Sequence, residues 1–492
     1  MVQDVEDVKY EPHQALVPGT TDMTQLQAGT TRSRFVPQPS DDSADPLNWS
    51  TPWKYLEFFA HGCFTFFGTL SLFAISPLYG ILTAKWHKDE AAISQLTGIN
   101  AATYGTANLI LIPLANAVGR RPVALICCLI ILGANIWSAV ADSYGSFLGA
   151  RVLSGLGSAS NETLMAVVAT DIFFLQHRAT AVGVFFFTYS AGAYVGPVLS
   201  GAFAEHIGYQ WFYWFCAICA GCCVVLLLFL APETQRTTFE AQVVSNTRTA
   251  DDLSHRITGR PTRYQFLPVY KVHKENLKGL HRQLLAPFYI MLLPIGFWAV
   301  MMACIAANTL LVVQLTISQA LGSPPYLWGS QKIGFTNFAL LVGSVIGTAT
   351  AGPLSDWVAI RATKKNGGIR EPEMRLPAMI PFFLLTVLGM VMYGISLDRK
   401  WPAEVCYILG MPAIAIIVVG LQTIPLTYAI DCYQPASGPL MGLSTVIKNM
   451  FGFGMTYYIN DWAARVGYLE PSLVFMALTV GFDYDDLQWL DQ

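Results

Sequence analysis

Arg151 and Glu162 stand eleven positions apart inside a long apolar stretch of this chain. Eleven residues make three helical turns, so an unbroken helix would carry both on one face, about 16 Å apart. A Glu held away from water can take up and release a proton. It can equally be a structural acid capped by a nearby hydroxyl, such as Ser158 or Ser160. Arg151 either faces a polar space or a partner, or snorkels toward the membrane surface. Lys448 and Asn449 lie halfway along another apolar run, among glycines 442, 452 and 454 that permit close helix packing. Such a lysine points into a space between helices or pairs with an acid on another span, for example Asp431. Asn308, Gln314 and Gln422 add polar groups that contact a solute or bond between helices. Glu57 and His61, at i and i+4, form a titrating pair near neutral pH, or Glu57 pairs with Lys54 while His61 packs.

These residues need elements to hold them, and composition says which. The chain has 492 residues, 53% hydrophobic and 12% charged, with mean hydropathy +0.45. Soluble proteins carry about 25% charged residues. Runs such as 123–140, 211–231 and 377–397 have no polar face, and each is close to the ~20 residues that cross a bilayer. Spans are expected near 54–81, 94–115, 122–141, 145–170, 180–204, 211–231, 287–313, 330–351, 376–397, 403–429, 437–459 and 468–483. The fold class is therefore an all-α membrane protein. Its predicted parts are a cytosolic tail (1–53), a six-helix bundle (54–231), a cytosolic central loop (232–286), a second six-helix bundle (287–483) and a short tail (484–492).

Placing the N-terminus in the cytosol puts 21 of the 29 Lys and Arg residues on the inner side and 6 on the outer, as positive-inside insertion requires. No apolar stretch precedes residue 50, so no cleavable signal is expected and the first span serves as the insertion signal. The last span is short. Only 469–482 is apolar, and an acidic stretch follows, so either the twelfth helix is thin or the C-terminus is truncated or mis-spliced. The ten cysteines lie nearly all inside apolar runs and read as small packing residues rather than metal or redox ligands. Sequons at Asn48 and Asn161 fall in the cytosol and in the bilayer on this topology, where neither is glycosylated. No basic run suggests nucleic acid. No phosphate-binding loop, His-Glu-x-x-His or Gly-x-Ser-x-Gly occurs, so neither an enzyme nor a cofactor is expected.

Two polar turns share a pattern. Pro113-Leu-Ala-Asn116-Ala-Val-Gly119-Arg120-Arg121-Pro122 joins two apolar runs, and Gly352-Pro-Leu-Ser-Asp356-Trp357 sits at similar depth in the second half. A repeated loop of this kind marks two homologous membrane-embedded halves, the architecture of secondary transporters. Gly119 allows a tight backbone path, and Arg120 and Arg121 sit at an anionic inner surface, where each gains roughly 1 kcal/mol. Further motifs follow in order: Asp45-Pro-Leu-Asn-Trp49, Arg151-Val-Leu-Ser-Gly-Leu-Gly157, Gly192-Ala-Tyr-Val-Gly196-Pro197 with Ser200-Gly201, Pro232-Glu-Thr234, and Asn366-Gly-Gly-Ile-Arg-Glu-Pro-Glu-Met-Arg-Leu376.

Taken together, over roughly residues 45–465, the chain resembles a twelve-span member of the major facilitator superfamily, in its fungal drug:proton antiporter-like branch. The resemblance implies two six-helix bundles facing each other across a central cavity. It implies a latch from Arg120 or Arg121 to Asp171 that closes an inner gate, with Asn116 standing where the family usually has an acid and Asp356 keeping that acid in the second half. It links Arg151 to proton coupling and associates the Gly192–Gly201 segment with antiporters rather than uptake symporters. Three functions compete. One is proton-coupled efflux of a drug or secondary metabolite; one is carriage of organic cations such as polyamines or amino-acid derivatives; one is a non-transporting sensor or truncated paralogue. The expected partners are a small-molecule cargo, protons and the lipid bilayer. The expected state is a monomer in the plasma membrane, with vacuolar and peroxisomal membranes as alternatives.

Overall fold

The computed structural model describes residues 21–22, 45–235, 259–267, 280–367, 369–433 and 437–487. Most of the tail, the central-loop stretches 236–258 and 268–279, and residues 488–492 lie outside the described residues. Among the described residues, nine helices are long and apolar enough to cross a bilayer.

In the first half, Pro52 opens α1 (Thr51–Phe73), its fixed φ suiting the first helical turn. A turn at Ser76–Leu78 then leads into α2 (Tyr79–Trp86). Next come α3 (Glu90–Val118), α4 (Arg120–Val140) and α5 (Tyr144–Ser158), the last capped by the Ser143 hydroxyl, which accepts from Ser146 N–H at 3.2 Å. After α5 the fourth span is interrupted: a 3-10 turn at Ala159–Asn161 separates it from α6 (Leu164–Ile172). The helices α7 (Leu175–His206) and α8 (Tyr209–Leu230) complete this half.

The second half begins with α9 (Leu280–Ile290), followed by α10 (Pro294–Gly322), α11 (Ser330–Phe335) and α12 (Asn337–Lys365). It continues through α13 (Ile380–Asp398), α14 (Met411–Cys432), α15 (Ser437–Met455), the short α16 (Ile459–Val466) and α17 (Leu469–Leu487). A two-residue strand, β1 (Thr21–Asp22), pairs antiparallel with β2 (Ile369–Arg370).

Several boundaries differ from the sequence expectation; the eighth span, for one, runs to Lys365 rather than 351. The fourth span is not one helix, because the run Ser158-Ala-Ser-Asn-Glu-Thr163 offers side-chain oxygens that compete with helical backbone bonding. The seventh span starts at Pro294 rather than 287, since 280–290 forms a separate helix. The last helix runs through the acidic stretch to Leu487, so 484–487 belong to it rather than to a tail. Its apolar part, Leu469–Gly481, reaches about 20 Å, short of the ~30 Å hydrocarbon core as the sequence implied.

The two ends of the molecule are built differently. At the end carrying Pro77, one buried apolar cluster runs through both halves, joining Leu70, Ile75, Tyr79 and Phe147 to Val312, Leu315, Tyr393 and Met411. Here Ser76 Oγ donates to Gln314 O at 2.7 Å, and Ser94 Oγ to Thr456 O at 2.7 Å. Gln331 N–H donates to Glu205 Oε2 at 2.9 Å. At the end carrying Gly119 the apolar clusters stay within one half. Ala115, Val123 and Leu227 lie in one, and Phe58 and Ile172 in another. Met302, Phe382 and Ile424 form a third, and Val300, Ala429 and Leu440 a fourth.

Close approach of helices depends on the Gly192–Gly201 segment. Gly192 lies against the Phe66 carbonyl and Gly196 against that of Leu70, both on α1, while Gly201 lies against the Ser330 carbonyl of the other half. Pro197 leaves its own carbonyl facing Gly334 of α11. A Cβ at Gly196 would meet backbone that cannot step aside. A Gly196→Val variant is therefore expected to lose about 3 kcal/mol of stability, at the upper end of overpacking costs. Gly183→Val on the same helix, where nothing lies within 4 Å, is the control expected to melt like wild type in detergent.

Candidate functional site

Glu162 sits in the break between α5 and α6, where no helical ladder dictates its direction. Its Oε1 is ion-paired with Lys448 Nζ of α15, and its Oε2 accepts from the Tyr104 hydroxyl of α3 at 3.1 Å. Both members of the pair are 16% exposed. Tyr189 of α7 adjoins the Tyr104 hydroxyl. A carboxylate of the first half is thus bonded to an ammonium of the second, across the face where the halves meet. Asp431 is not the acid that pairs with Lys448, and neither Ser158 nor Ser160 caps Glu162. Such a pair can open when the carboxylate gains a proton, or when another cation takes the place of the lysine.

Neighbouring contacts fix the lysine. Asn308 Nδ2 donates to the Lys448 carbonyl at 3.0 Å and to Cys304 O at 2.8 Å. Gly452 lets α15 approach Asn308 and Leu311, and Gly442 approaches Ile112, whereas Gly454 has nothing within 4 Å. Asn449 bonds within its own helix to Thr445 O at 2.7 Å and packs on Gly105 of α3. Gln314 contributes its backbone carbonyl to Ser76, and Gln422 is half-buried.

Arg151 is 1% exposed. It does not snorkel; it reaches the broken end of α1. Its Nη1 donates to Ser71 O at 3.2 Å and its Nη2 to Leu72 O at 2.5 Å. The Asn100 amide oxygen of α3, in the orientation that satisfies both groups, accepts from Nε at 3.2 Å and Nη2 at 2.7 Å. Because α1 stops at Phe73, its last carbonyls lack helical donors. The guanidinium supplies them, and a cation suits a helix C-terminus. Ser200 Oγ extends the cap by donating to Ala74 O at 2.5 Å. The interruption after Ser158 removes the common helical face expected for Arg151 and Glu162.

At the Gly119 end, it is Arg120 that meets Asp171, with Nε 3.4 Å from Oδ2. Its Nη1 also donates to Asn116 Oδ1 at 2.9 Å and Ala115 O at 3.0 Å. Asn116 therefore acts as a neutral acceptor where an acid was expected by resemblance. Arg121 turns elsewhere, to Gln265 O at 3.1 Å and Leu228 O at 2.8 Å. The second half repeats the arrangement with Arg375, whose Nη1 lies 3.2 Å from Asp356 and whose Nε lies 3.0 Å from Asp431.

One residue that organises this end carried no assigned role in the sequence. Glu233, 4% exposed, accepts from the backbone N–H of Arg120 at 2.9 Å and of Arg121 at 3.1 Å. It caps the start of α4, where an anion is favoured. Gly119, at φ 118°, makes room for it: a Cβ there would collide with its carboxylate. Gln265 closes the ring, its Nε2 donating to Glu233 O at 3.1 Å while its carbonyl accepts from Glu233 N–H at 2.9 Å. The Asp45–Trp49 motif docks beside it. Trp49 is fully buried, and Ser50 N–H donates to Gly259 O at 2.8 Å. The signal for Glu233 was its place in Pro232-Glu-Thr234, directly after a span. Lys54 goes to Leu47 O at 2.9 Å and over the Phe174 ring, so it is not the partner of Glu57; His61 is, at 3.1 Å.

The family model described as Major Facilitator Superfamily matches residues 62–456. The chain belongs to the major facilitator superfamily. It has the two-bundle major facilitator fold and is a multi-pass membrane transporter of small molecules. Among its relatives, an uncharacterized MFS-type transporter of Schizosaccharomyces pombe is 25% identical over 88% of this chain and 82% of its own length. A probable efflux pump of Aspergillus flavus, mfs2, is 23% identical over 77% of this chain and 88% of its own. Citrate exporter 1 of Aspergillus niger is 26% identical over 74% and 71%. Among the described residues, the Glu162–Lys448 pair and the Arg120 and Arg375 clusters join oppositely charged side chains from elements far apart in sequence.

Proposed function

We propose that this protein is a proton-coupled exporter of small organic molecules, working by alternating access with the Gly119 end in the cytosol. The observation that carries the reading is the Glu162–Lys448 pair, which ties the two halves together at the place where cargo must pass. Protonation of Glu162 removes its charge and frees Lys448, and the halves are then free to rock. Deprotonation restores the pair and resets the cycle. Arg151 acts beneath it by holding the end of α1 to α3 and α5. The clusters of Arg120 with Asp171 and Asn116, and of Arg375 with Asp356 and Asp431, form the two sides of the inner gate.

The positive-inside count supports the orientation. Export is supported by relatives named as an efflux pump and an exporter and by the Gly192–Gly201 segment. The site serves one chain, and the protein acts as a monomer in the plasma membrane. A second reading has its own observation: Tyr104 and Tyr189 flank Glu162, a setting in which an organic ammonium could replace that of Lys448.

Proteoliposomes with an internal pH dye, offered a panel of neutral and cationic organic compounds, test both. Wild type is expected to move protons opposite to mostly apolar cargo. Glu162→Gln is expected to fall to the rate of empty vesicles. Flux confined to amines, and requiring Glu162, would replace the exporter reading with the cation carrier. Full proton flux in the variant would sink both.

A further inference from the structure

On α1, Glu57, His61 and Thr65 are four residues apart and so form a single file, about 6 Å per step. They are 0%, 1% and 0% exposed. His61 Nδ1 faces Glu57 Oε1 at 3.1 Å. Beyond that contact, Glu57 Oε2, His61 Nε2 and Thr65 Oγ1 are buried with no protein partner. One turn further on is Gly68, and the Asn161 side chain presses into the place a side chain would fill there. Asn161 is itself fully buried, and both of its amide atoms lack a partner, as does Ser158 Oγ. Asn161 lies in the helix break, and the next residue is Glu162.

A buried polar atom left unsatisfied costs about 1–3 kcal/mol. Scattered cases are packing faults, but here they follow one line from the Gly119 end to the central carboxylate. Such lines are places where protein interiors hold water. The charged groups facing Glu57 are His61 on its own helix, Arg121 on α4 and Glu233 after α8; Glu233 also faces His61. Glu162 faces Lys448 of α15 and Tyr104 of α3.

We propose that Glu57, His61, Thr65 and Asn161 form a hydrated proton path inside the first half, joining the Gly119 end to Glu162. This rests on the reading of Glu162 as the coupling carboxylate. During export a proton released by Glu162 enters the waters that the Asn161 amide orients; Asn161 itself carries none. The Thr65 hydroxyl accepts one proton and donates another onward. His61 Nε2 takes up a proton from water, and the ring releases the one on Nδ1 to Glu57. One O–H bond is lost at Glu162 and one gained at Glu57, with no change of oxidation state, and a pH jump that protonates Glu162 drives the same path in reverse. Because the path lies within one half, protons passing between Glu162 and the Gly119 end need not share the route of the cargo between the halves.

The test is a pH jump on the full-length protein in lipid nanodiscs, following the infrared carbonyl band of protonated Glu162, assigned by its loss in Glu162→Gln. Thr65→Val and His61→Gln are expected to slow the rise of this band at least tenfold while leaving its final amplitude unchanged, and Thr65→Ser is expected to restore the rate. The unchanged amplitude verifies that the variants are folded. Equal rates in wild type, Thr65→Val and His61→Gln would overturn the path and leave protonation from the face between the halves. A Glu162 band absent at every pH would overturn the coupling reading, and the path with it.

Discussion

Lys448→Ala is expected to lower both stability and coupled transport, and adding Glu162→Gln is expected to recover the first but not the second. Removing one member of a partly buried ion pair strands the other charge, which costs about 3–5 kcal/mol. In Lys448→Ala the stranded charge is a carboxylate at a helix break, held only by the Tyr104 hydroxyl. Neutralising both members removes the stranded charge, so the double variant is expected to melt within about 1 kcal/mol of wild type. Its proton flux is still expected at the empty-vesicle rate, because no group remains to exchange a proton for a lysine. Thermal melting in detergent and dye-reported flux in vesicles separate the two effects. A single variant as stable as wild type would show that the pair contributes no net stability.

The second large effect is expected at Arg151. Lysine keeps the charge but presents one nitrogen in place of a planar fork. It cannot serve Ser71 O, Leu72 O and Asn100 together. Arg151→Lys is therefore expected to lose about 3 kcal/mol, the worth of one or two charged hydrogen bonds at a buried site. Proton coupling is expected to fall with it, since the end of α1 is no longer fixed. A melting point equal to wild type would mean that the broken helix end is held by other contacts.

Much of the fold was legible because a bilayer leaves few options for apolar runs of ~20 residues. The contact between Arg120 and Asp171 was legible through family resemblance. What failed were partners chosen without a third dimension. Asp431 was offered to Lys448, but it lies near the Gly119 end, where Arg375 holds it. The true partner, Glu162, is 286 residues away in sequence and in the other half. Arg151 and Glu162 were placed on one helix face because the break after Ser158 went unread, although five polar residues in six at 158–163 were a visible warning. Glu233 escaped because its ligands are backbone N–H groups, which every residue has and no motif displays. Arg151 likewise serves carbonyls whose lack of donors follows from the end of α1, a tertiary fact.

The joined apolar cluster at the Pro77 end sets a direction for the resting protein. Opening that end would bring Leu70, Ile75, Val312 and Leu315 to water, at a cost of about 25 cal/mol for each Å² of apolar surface uncovered. The Gly119 end, with its separate clusters, carries no such debt. On the orientation proposed here, an idle molecule waits with its loading side toward the cytosol, and the outward swing is the uphill stroke. Cargo binding and the proton exchanged at Glu162 must together supply that work, and an unloaded molecule is held back from leaking protons by its own greasy seal.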